Sequence, residues 1–346
     1  MVVQDPKIEQ QAVESQKLRV FSGIQPSGSL TLGNYLGAIR NWVVQQQQYD
    51  NIFCVVDLHA LSFATTRDSM SDNIRRLASV ILASGVDPEQ SILFVQSDVR
   101  EHSELCWLLN SVTQFGELRR MTQFKDKSEN DDESVSAALF DYPVLQAADI
   151  ILYDAALVPV GEDQKQHVEL TRDIAYRFNQ RYGNTFVVPK ADIKPEGARI
   201  MALDDPSKKM SKSSPNPGSY ISLNDDPDTI RRKFKRAVTD SGSEIVSTPE
   251  KPALANLISI YGLLSDSTPQ EVEAQFAGKG YGAFKSELGE IVVNAIRPIQ
   301  ERLFELESAP EIVEHALANG AERARDIAST KMQEVRYKMG IGGPQA

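Results

Sequence analysis

Residues 18–34 read Leu18-Arg19-Val20-Phe21-Ser22-Gly23-Ile24-Gln25-Pro26-Ser27-Gly28-Ser29-Leu30-Thr31-Leu32-Gly33-Asn34. Leu18 to Ser22 has the β-branched and aromatic content of a strand, and Leu36, Ile39, Val43 and Val44 then recur at helical spacing. Between them lies a glycine-rich turn. A strand that passes through such a turn into a helix N-terminus makes an anion site, because the first helical N–H groups lack partners and glycine lets a nucleotide approach the backbone. Thr31 and Asn34 add short polar groups beside that opening. The same residues also read as a plain turn with a helix cap. The segment is neither a P-loop nor a GxGxxG fingerprint, whose spacings it lacks.

Further along, Ile52-Phe53-Cys54-Val55-Val56 and Ile92-Leu93-Phe94-Val95 read as strands. Ile74, Leu77, Ala78, Ile81 and Leu82 form a helical stripe between them, and Gly85 stands where a helix C-cap favours glycine. This is a βαβ unit. The expected fold is a Rossmann-like, doubly wound parallel sheet whose ligands sit at the carboxyl ends of the strands. A helical region is expected from Ser103 to Arg181, broken by an acidic surface loop from Ser128 to Ser134. Pro215, Pro217 and Gly218 mark a long loop from Pro206 to Gly218. Beyond it Ile291, Val292, Ala295, Ile296, Ile299 and Leu303 form one apolar helical stripe. The expected organisation is a polar, disordered extension over 1–17, a catalytic domain over 18–205, the loop over 206–218, an all-helical domain over 219–340 and a fraying tail over 341–346.

The chain has 346 residues, 41% hydrophobic and 25% charged, the balance of a globular protein. No run approaches the roughly 20 apolar residues that span a bilayer, and residues 1–17 lack the apolar core of a signal peptide. Cys54 and Cys106 are far apart and suggest neither a disulfide framework nor a metal knuckle, which fits a cytoplasmic home. The net charge of −11 argues against a nucleic-acid partner, yet Arg231, Arg232, Lys233, Lys235 and Arg236 lie within six residues. On charge alone that run reads equally as a solvated helix face or as a phosphate contact. His59, His102, His167 and His315 are too scattered to form a ligand set, and His102 and His315 read as surface residues.

The long loop carries Lys208-Lys209-Met210-Ser211-Lys212-Ser213-Ser214. Two lysines three apart on such a segment can wrap a polyphosphate, with hydroxyls and backbone N–H groups as further donors. Here the chain resembles class I aminoacyl-tRNA synthetases, in which a HIGH-like turn and a KMSKS loop hold ATP together. Thr31-Leu32-Gly33-Asn34 stands in the place of HIGH, and Lys209-Met210-Ser211-Lys212-Ser213 matches KMSKS letter for letter. Phe21 to Gly28, Met121 to Ser128, Ala147-Ala148-Asp149-Ile150, Val158 to His167 and Gly197 to Met201 resemble the blocks of the tryptophanyl-tRNA synthetase family, bacterial or organellar type, over residues 18–339.

The resemblance implies a ligase that activates L-tryptophan with ATP and transfers it to tRNA(Trp). It implies ATP as the magnesium complex, no tightly bound protein-ligated metal, a homodimer and no membrane. It places ATP against Gln25, Pro26, Ser27, Gly33, Asn34, Gly161, Glu162, Asp163 and Ile200, with Lys209, Met210, Ser211, Lys212 and Ser213 closing over the phosphates. Lys127, Lys209 and Lys212 take the catalytic part. Asp149 becomes the acceptor for the indole N–H, with Phe21, Gly23, His59, Tyr142, Gln146, Val158, Val160 and Gln164 around the ring. Gln146, Leu58 and Ser214 depart from the commonest bacterial pattern, which has methionine, glutamine and aspartate there. A tyrosine-specific synthetase shares both signatures, but the blocks around Asp149 and Gly161 favour tryptophan. A small-molecule adenylyltransferase would not need the helical region after Gly218, and a non-catalytic RNA-binding paralogue would be expected to have lost Lys209 or Lys212.

Overall fold

Alternate residues of the central strands go to opposite faces and found two separate cores. The computed structural model describes residues 17–26, 28, 30–62, 66–122, 136–193 and 199–342. Strand β1 (Arg19–Ile24) runs parallel to β2 (Asp50–Val55), with Arg19 opposite Asp50 and Ile24 opposite Val55. Strand β3 (Ile92–Val95) lies parallel on the far side of β2. Phe53, Val55, Leu93 and Val95 enter one hydrophobic cluster; Ile52, Cys54, Ile92 and Phe94 enter the other. This is the period of two of a strand buried on both faces.

The turn after β1 leads into α1, a helical run made of Leu32–Asn34, the π-helical turn Tyr35–Ile39 and Arg40–Gln45. The helix α2 (Arg67–Ala83) joins β2 to β3 and stops before Gly85, whose φ of +104° suits glycine. Then come α3 (Glu101–Asn110) and α4 (Ala137–Ile151). The expected helical stretch from Ser103 to Arg181 is corrected at this point, because β4 (Leu157–Val160) crosses it before α5 (Lys165–Tyr182). With four residues, one of them Pro159, this strand has almost no pattern to read. The acidic loop expected from Ser128 to Ser134 lies outside the described residues. A fifth strand, β5 (Lys190–Ile193), pairs along the whole of β4.

The strand order is β3-β2-β1-β4-β5, all parallel. The chain therefore winds outward to one side and then to the other, with the reversal between β1 and β4. Pairing between these two is confined to Val20 opposite Leu157, and Pro159 has no N–H to offer a ladder. This reversal of strand order is the place where open α/β sheets bind ligands, beyond the carboxyl ends of β1 and β4.

After the loop the chain is helical: α6 (Pro227–Arg236), α7 (Pro252–Ser265), the short helix Pro269–Gln275, α8 (Tyr281–Ser308) and α9 (Pro310–Met339). In the apolar stripe of α8, Val292, Ile296, Ile299 and Leu303 are buried, and Val292, Ile296 and Leu303 share one cluster with Phe53 and Leu36 of the sheet side. Helix α9 returns to cover the free edge of β3. A Cβ built on Gly320 would stand 1.8 Å from the Leu93 carbonyl oxygen, so only glycine allows this approach. Arg323 donates to the carbonyl of Pro88 at 2.7 Å and Arg325 to that of Asp98 at 3.0 Å, which seals an edge that would otherwise offer unpaired backbone groups. Among the described residues no helix is long and apolar enough to cross a membrane.

Candidate active site

The first expected contact region forms at the end of β1. Thr31 caps α1, its hydroxyl accepting from the Asn34 N–H at 3.3 Å while Asn34 Oδ1 accepts from the Thr31 N–H at 2.9 Å. Both polar side chains are thus engaged with each other, and what Asn34 offers a ligand is its Nδ2 amide. Gly33 faces the long loop. A Cβ there would lie 3.4 Å from Met210 Cβ and 3.6 Å from Ile200 Cβ. A Cβ alone would just touch the loop, and a side chain reaching further in that direction would push it away from the turn.

The loop is held by short antiparallel pairing. Met210 N–H donates to the Ile200 carbonyl at 3.0 Å and Ala202 N–H to the Lys208 carbonyl at 2.8 Å. Asn256 of α7 acts as a surrogate strand edge, accepting from Met201 N–H at 2.8 Å and donating to its carbonyl at 3.0 Å. Beyond this clasp Lys212 bends back over the turn, and its ammonium fills the space beside Gly28, whose φ is +88°. Burial, with the charge of Arg76, lowers the Lys212 pKa below its ordinary value. A half-buried ammonium beside an arginine is a place prepared for an anion. Lys209 is exposed at the loop surface, as are Ser211 and Ser213. Ser27 and Lys127 lie outside the described residues.

Gly161, Glu162 and Asp163 follow β4 directly and are exposed on the other lip of the crevice. Gln164 Nε2 donates to Asp163 Oδ2 at 3.3 Å, and Glu162 pairs with Lys165 at 3.3 Å. Gln25 is exposed and Pro26 buried on the opposite lip.

Between the lips, at the carboxyl ends of β1 to β3, sits a polar network in an apolar shell. Asp149, near the end of α4, is 1% exposed. Its Oδ2 accepts from His59 Nε2 at 2.8 Å, and its Oδ1 accepts from Gln96 Nε2 at 2.6 Å and His102 Nδ1 at 2.7 Å. The amide of Gln96 is oriented, since its Oε1 accepts from the Leu58 N–H at 3.1 Å. Burial alone would raise the carboxyl pKa. The hydrogen bonds that His102 and His59 make to it outweigh this and hold Asp149 well below the usual carboxylate range. The group is an ionised acceptor.

Aromatic rings wall this network. Phe21 stacks on Tyr153 with centroids 5.8 Å apart, and His59 meets Tyr142 edge-on at 6.1 Å. Tyr142 hydrogen-bonds His167 Nε2 at 2.7 Å, and burial pushes its hydroxyl pKa up to about 12. Gly23, at the end of β1, could take no Cβ without meeting Val56 Cγ1 at 2.9 Å. Val158 is buried and Val160 half-buried in the same cluster, and Gln146 is half-buried on α4. Phe21, His59, Tyr142, Asp149, Val158 and Val160 thus come from four elements to one region.

The expectation that His102 is a surface residue is corrected: it is fully buried and bonded to Asp149 on one side and Tyr153 on the other. Gln96, His102 and Tyr153 were all missed. Gln96 had a readable signal, since it immediately follows a parallel strand at its ligand-bearing end. Tyr153 stands four residues after Asp149, on the same side of that helical turn. His102 lies in the polar run Arg100-Glu101-His102-Ser103, which betrays no burial. Among the described residues no group of three or more His, Cys, Asp or Glu could hold a metal ion.

Residues 14–297 match the family model of tRNA synthetases class I (W and Y). The chain belongs to that family. A tryptophan–tRNA ligase of Halalkalibacterium halodurans is 53% identical over 94% of this chain and 98% of its own length. Among solved structures of this synthetase group, the tryptophanyl-tRNA synthetase of Mycoplasma pneumoniae superposes with a TM-score of 0.87 at 34% identity, covering 94% of this chain and 99% of its own. That of Campylobacter jejuni, complexed with ADP and tryptophan, gives 0.79 at 36% identity, with 94% and 100% covered.

Proposed function

We propose that this chain is a tryptophan–tRNA ligase, and that the carrying observation is the buried Asp149 carboxylate, ionised and held by three donors beside an aromatic-walled crevice. A carboxylate so held can accept a ring N–H and cannot donate, which suits indole. Relatives named tryptophan–tRNA ligase, about half identical over nearly the whole chain, support the same substrate. The tryptophan carboxylate attacks the α-phosphorus of ATP, the bond from that phosphorus to the bridging oxygen breaks, and pyrophosphate leaves. A terminal ribose hydroxyl of tRNA(Trp) then attacks the acyl carbon and AMP leaves. No protein nucleophile is needed. Lys209 and Lys212, with Lys127 by resemblance, stabilise charge on the phosphates as they separate. Mg²⁺ arrives with ATP as part of the substrate.

ATP lies across the turn Gln25 to Gly28, with Gly33, Asn34 and Ile200 on one lip and Gly161 to Asp163 on the other. Phe21, Gly23, His59, Tyr142, Gln146, Val158, Val160 and Gln164 surround the tryptophan. In the basic run on α6, Arg231 is bidentate to Glu290 at 2.6 and 3.0 Å and pairs with Asp228 at 3.0 Å, while Lys233 pairs with Asp225 at 2.6 Å. Exposed Lys235 and Arg236 are therefore the better phosphate contacts for tRNA. The protein works as a cytoplasmic homodimer. Exposed Trp107 (76%) and Phe115 (66%), the latter 5.0 Å from the Phe140 ring, support a dimer face on α3 and its neighbours. ATP-dependent esterification of labelled tryptophan to tRNA(Trp) tests the reading. Charging with tryptophan is the expected result, and charging of a different amino acid instead would overturn it.

A further inference from the structure

The network behind Asp149 contains two residues that touch neither expected substrate. His102 Nδ1 meets Asp149 Oδ1 at 2.7 Å, and His102 Nε2 meets the Tyr153 hydroxyl at 2.8 Å. Both side chains are fully buried and their rings lie 5.4 Å apart in the Phe94 cluster. An ionised carboxylate has only lone pairs, so the nitrogen facing it carries a hydrogen. In a neutral imidazole that leaves Nε2 as an acceptor, and the partner it requires is a hydroxyl that keeps its proton. Tyr153 is such a group: burial, above all, pushes its pKa well above the ordinary phenol value.

The two carboxylate oxygens are unequal. Oδ1 takes two donors, from Gln96 and His102, whereas Oδ2 takes one, from His59. A carboxylate offers about four lone-pair sites. Oδ2 is therefore the oxygen with capacity for a further donor.

We propose that Tyr153 and His102 form a tautomer lock: Tyr153 O–H fixes the proton of His102 on Nδ1, Nδ1–H saturates Asp149 Oδ1, and Oδ2 remains to take the ring N–H of the amino acid. The lock rests on the reading of Asp149 as the indole acceptor and adds the residues that keep it an acceptor. Both are positioning residues, and what they set is the preference for a ring bearing N–H over an isosteric ring without one.

The test uses the full-length protein and two substrates, tryptophan and its analogue with benzothiophene in place of indole, which keeps the ring shape and replaces N–H with sulfur. The readout is the ratio of their kcat/KM values in ATP–pyrophosphate exchange. Tyr153→Phe removes only the hydroxyl. It should lower the ratio by about tenfold to a hundredfold, the scale of a hydrogen bond to a charged group. His102→Gln, whose amide nitrogen falls nearer the Nε2 position, should lower it similarly. His102→Asn, whose amide nitrogen falls nearer Nδ1, should restore most of it. Packing alone predicts no difference in ratio between the Gln and Asn variants. Equal losses on both substrates in every variant, or an unchanged ratio in folded Tyr153→Phe, would overturn the lock. A wild-type protein that used both substrates equally would instead contradict the assignment of the indole N–H to Asp149, and the lock with it.

Discussion

Lys212 lays its ammonium over the bare face of Gly28, so close that a Cβ on the glycine would stand 2.3 Å from Nζ. The turn after β1 and the loop after β5 are some 180 residues apart in sequence, yet one cannot carry a side chain where the other carries its charge. Lys212 is half-buried, and its pKa is lowered chiefly by that burial and further by the charge of Arg76, so the ammonium is held where its charge is poorly compensated. An arriving polyphosphate would supply that compensation.

Lys212→Ala should therefore slow adenylate formation by about a hundredfold or more, the scale of one charge-stabilising donor, while the Kd for tryptophan changes by less than about threefold, because the charge acts on phosphates and not on the indole. Single-turnover adenylate formation and equilibrium tryptophan binding separate the two. Equal losses in both would show the loop to be merely structural.

The Asp149 carboxyl is held below its ordinary pKa in the folded chain. A depressed carboxyl contributes stability that is complete above the unfolded value near pH 4 and is lost as pH falls below it. Asp149→Asn should unfold at lower temperature at pH 7, since its NH2 must face at least one of the three donors whichever way the amide is turned, and its deficit should shrink as pH falls from about 4 toward 3. Parallel Tm-against-pH curves would contradict this. The same variant should lose at least about a hundredfold in kcat/KM for tryptophan.

Gly320 stands against the backbone of β3, so Gly320→Ala should destabilise the protein by about 1–3 kcal/mol or more despite the better helix propensity of alanine. Thermal or denaturant unfolding reads the loss directly. A neutral or stabilising effect would mean that α9 can lift off the strand edge at no cost.

A charge on the exposed aromatic face should break the proposed dimer. Trp107→Glu combined with Phe115→Glu should give a monomer in sedimentation at micromolar concentration, where the parent is a dimer, because an apolar interface cannot bury unpaired carboxylates cheaply. A parent monomer, or an unaltered dimer in the variant, would place the interface elsewhere or remove it.

Much of this was legible in the sequence because it is local. Leu18 to Asn34 announced strand, turn and helix N-terminus. Ile92 to Val95 and the stripe after Ile291 carried their own periodicities. What escaped is non-local or too short to repeat. The four residues of β4 contain a proline and no alternation. His102 lies in a charged run and is buried only because α3 packs against α4. Arg231 looked like a free cation until α8 brought Glu290 beside it. Asp149 taken alone reads as a helix-surface carboxylate, and the donors that keep it ionised come from the turn after β3, from α3 and from the turn after β2, so no spacing in the chain foretells their meeting.

Pyrophosphate exchange into ATP measures the activation of tryptophan in this crevice without tRNA. Run with each amino acid in turn, exchange should respond to tryptophan and to no other. Exchange driven equally well by tyrosine or phenylalanine, or absent with tryptophan, would contradict a tryptophan-specific site.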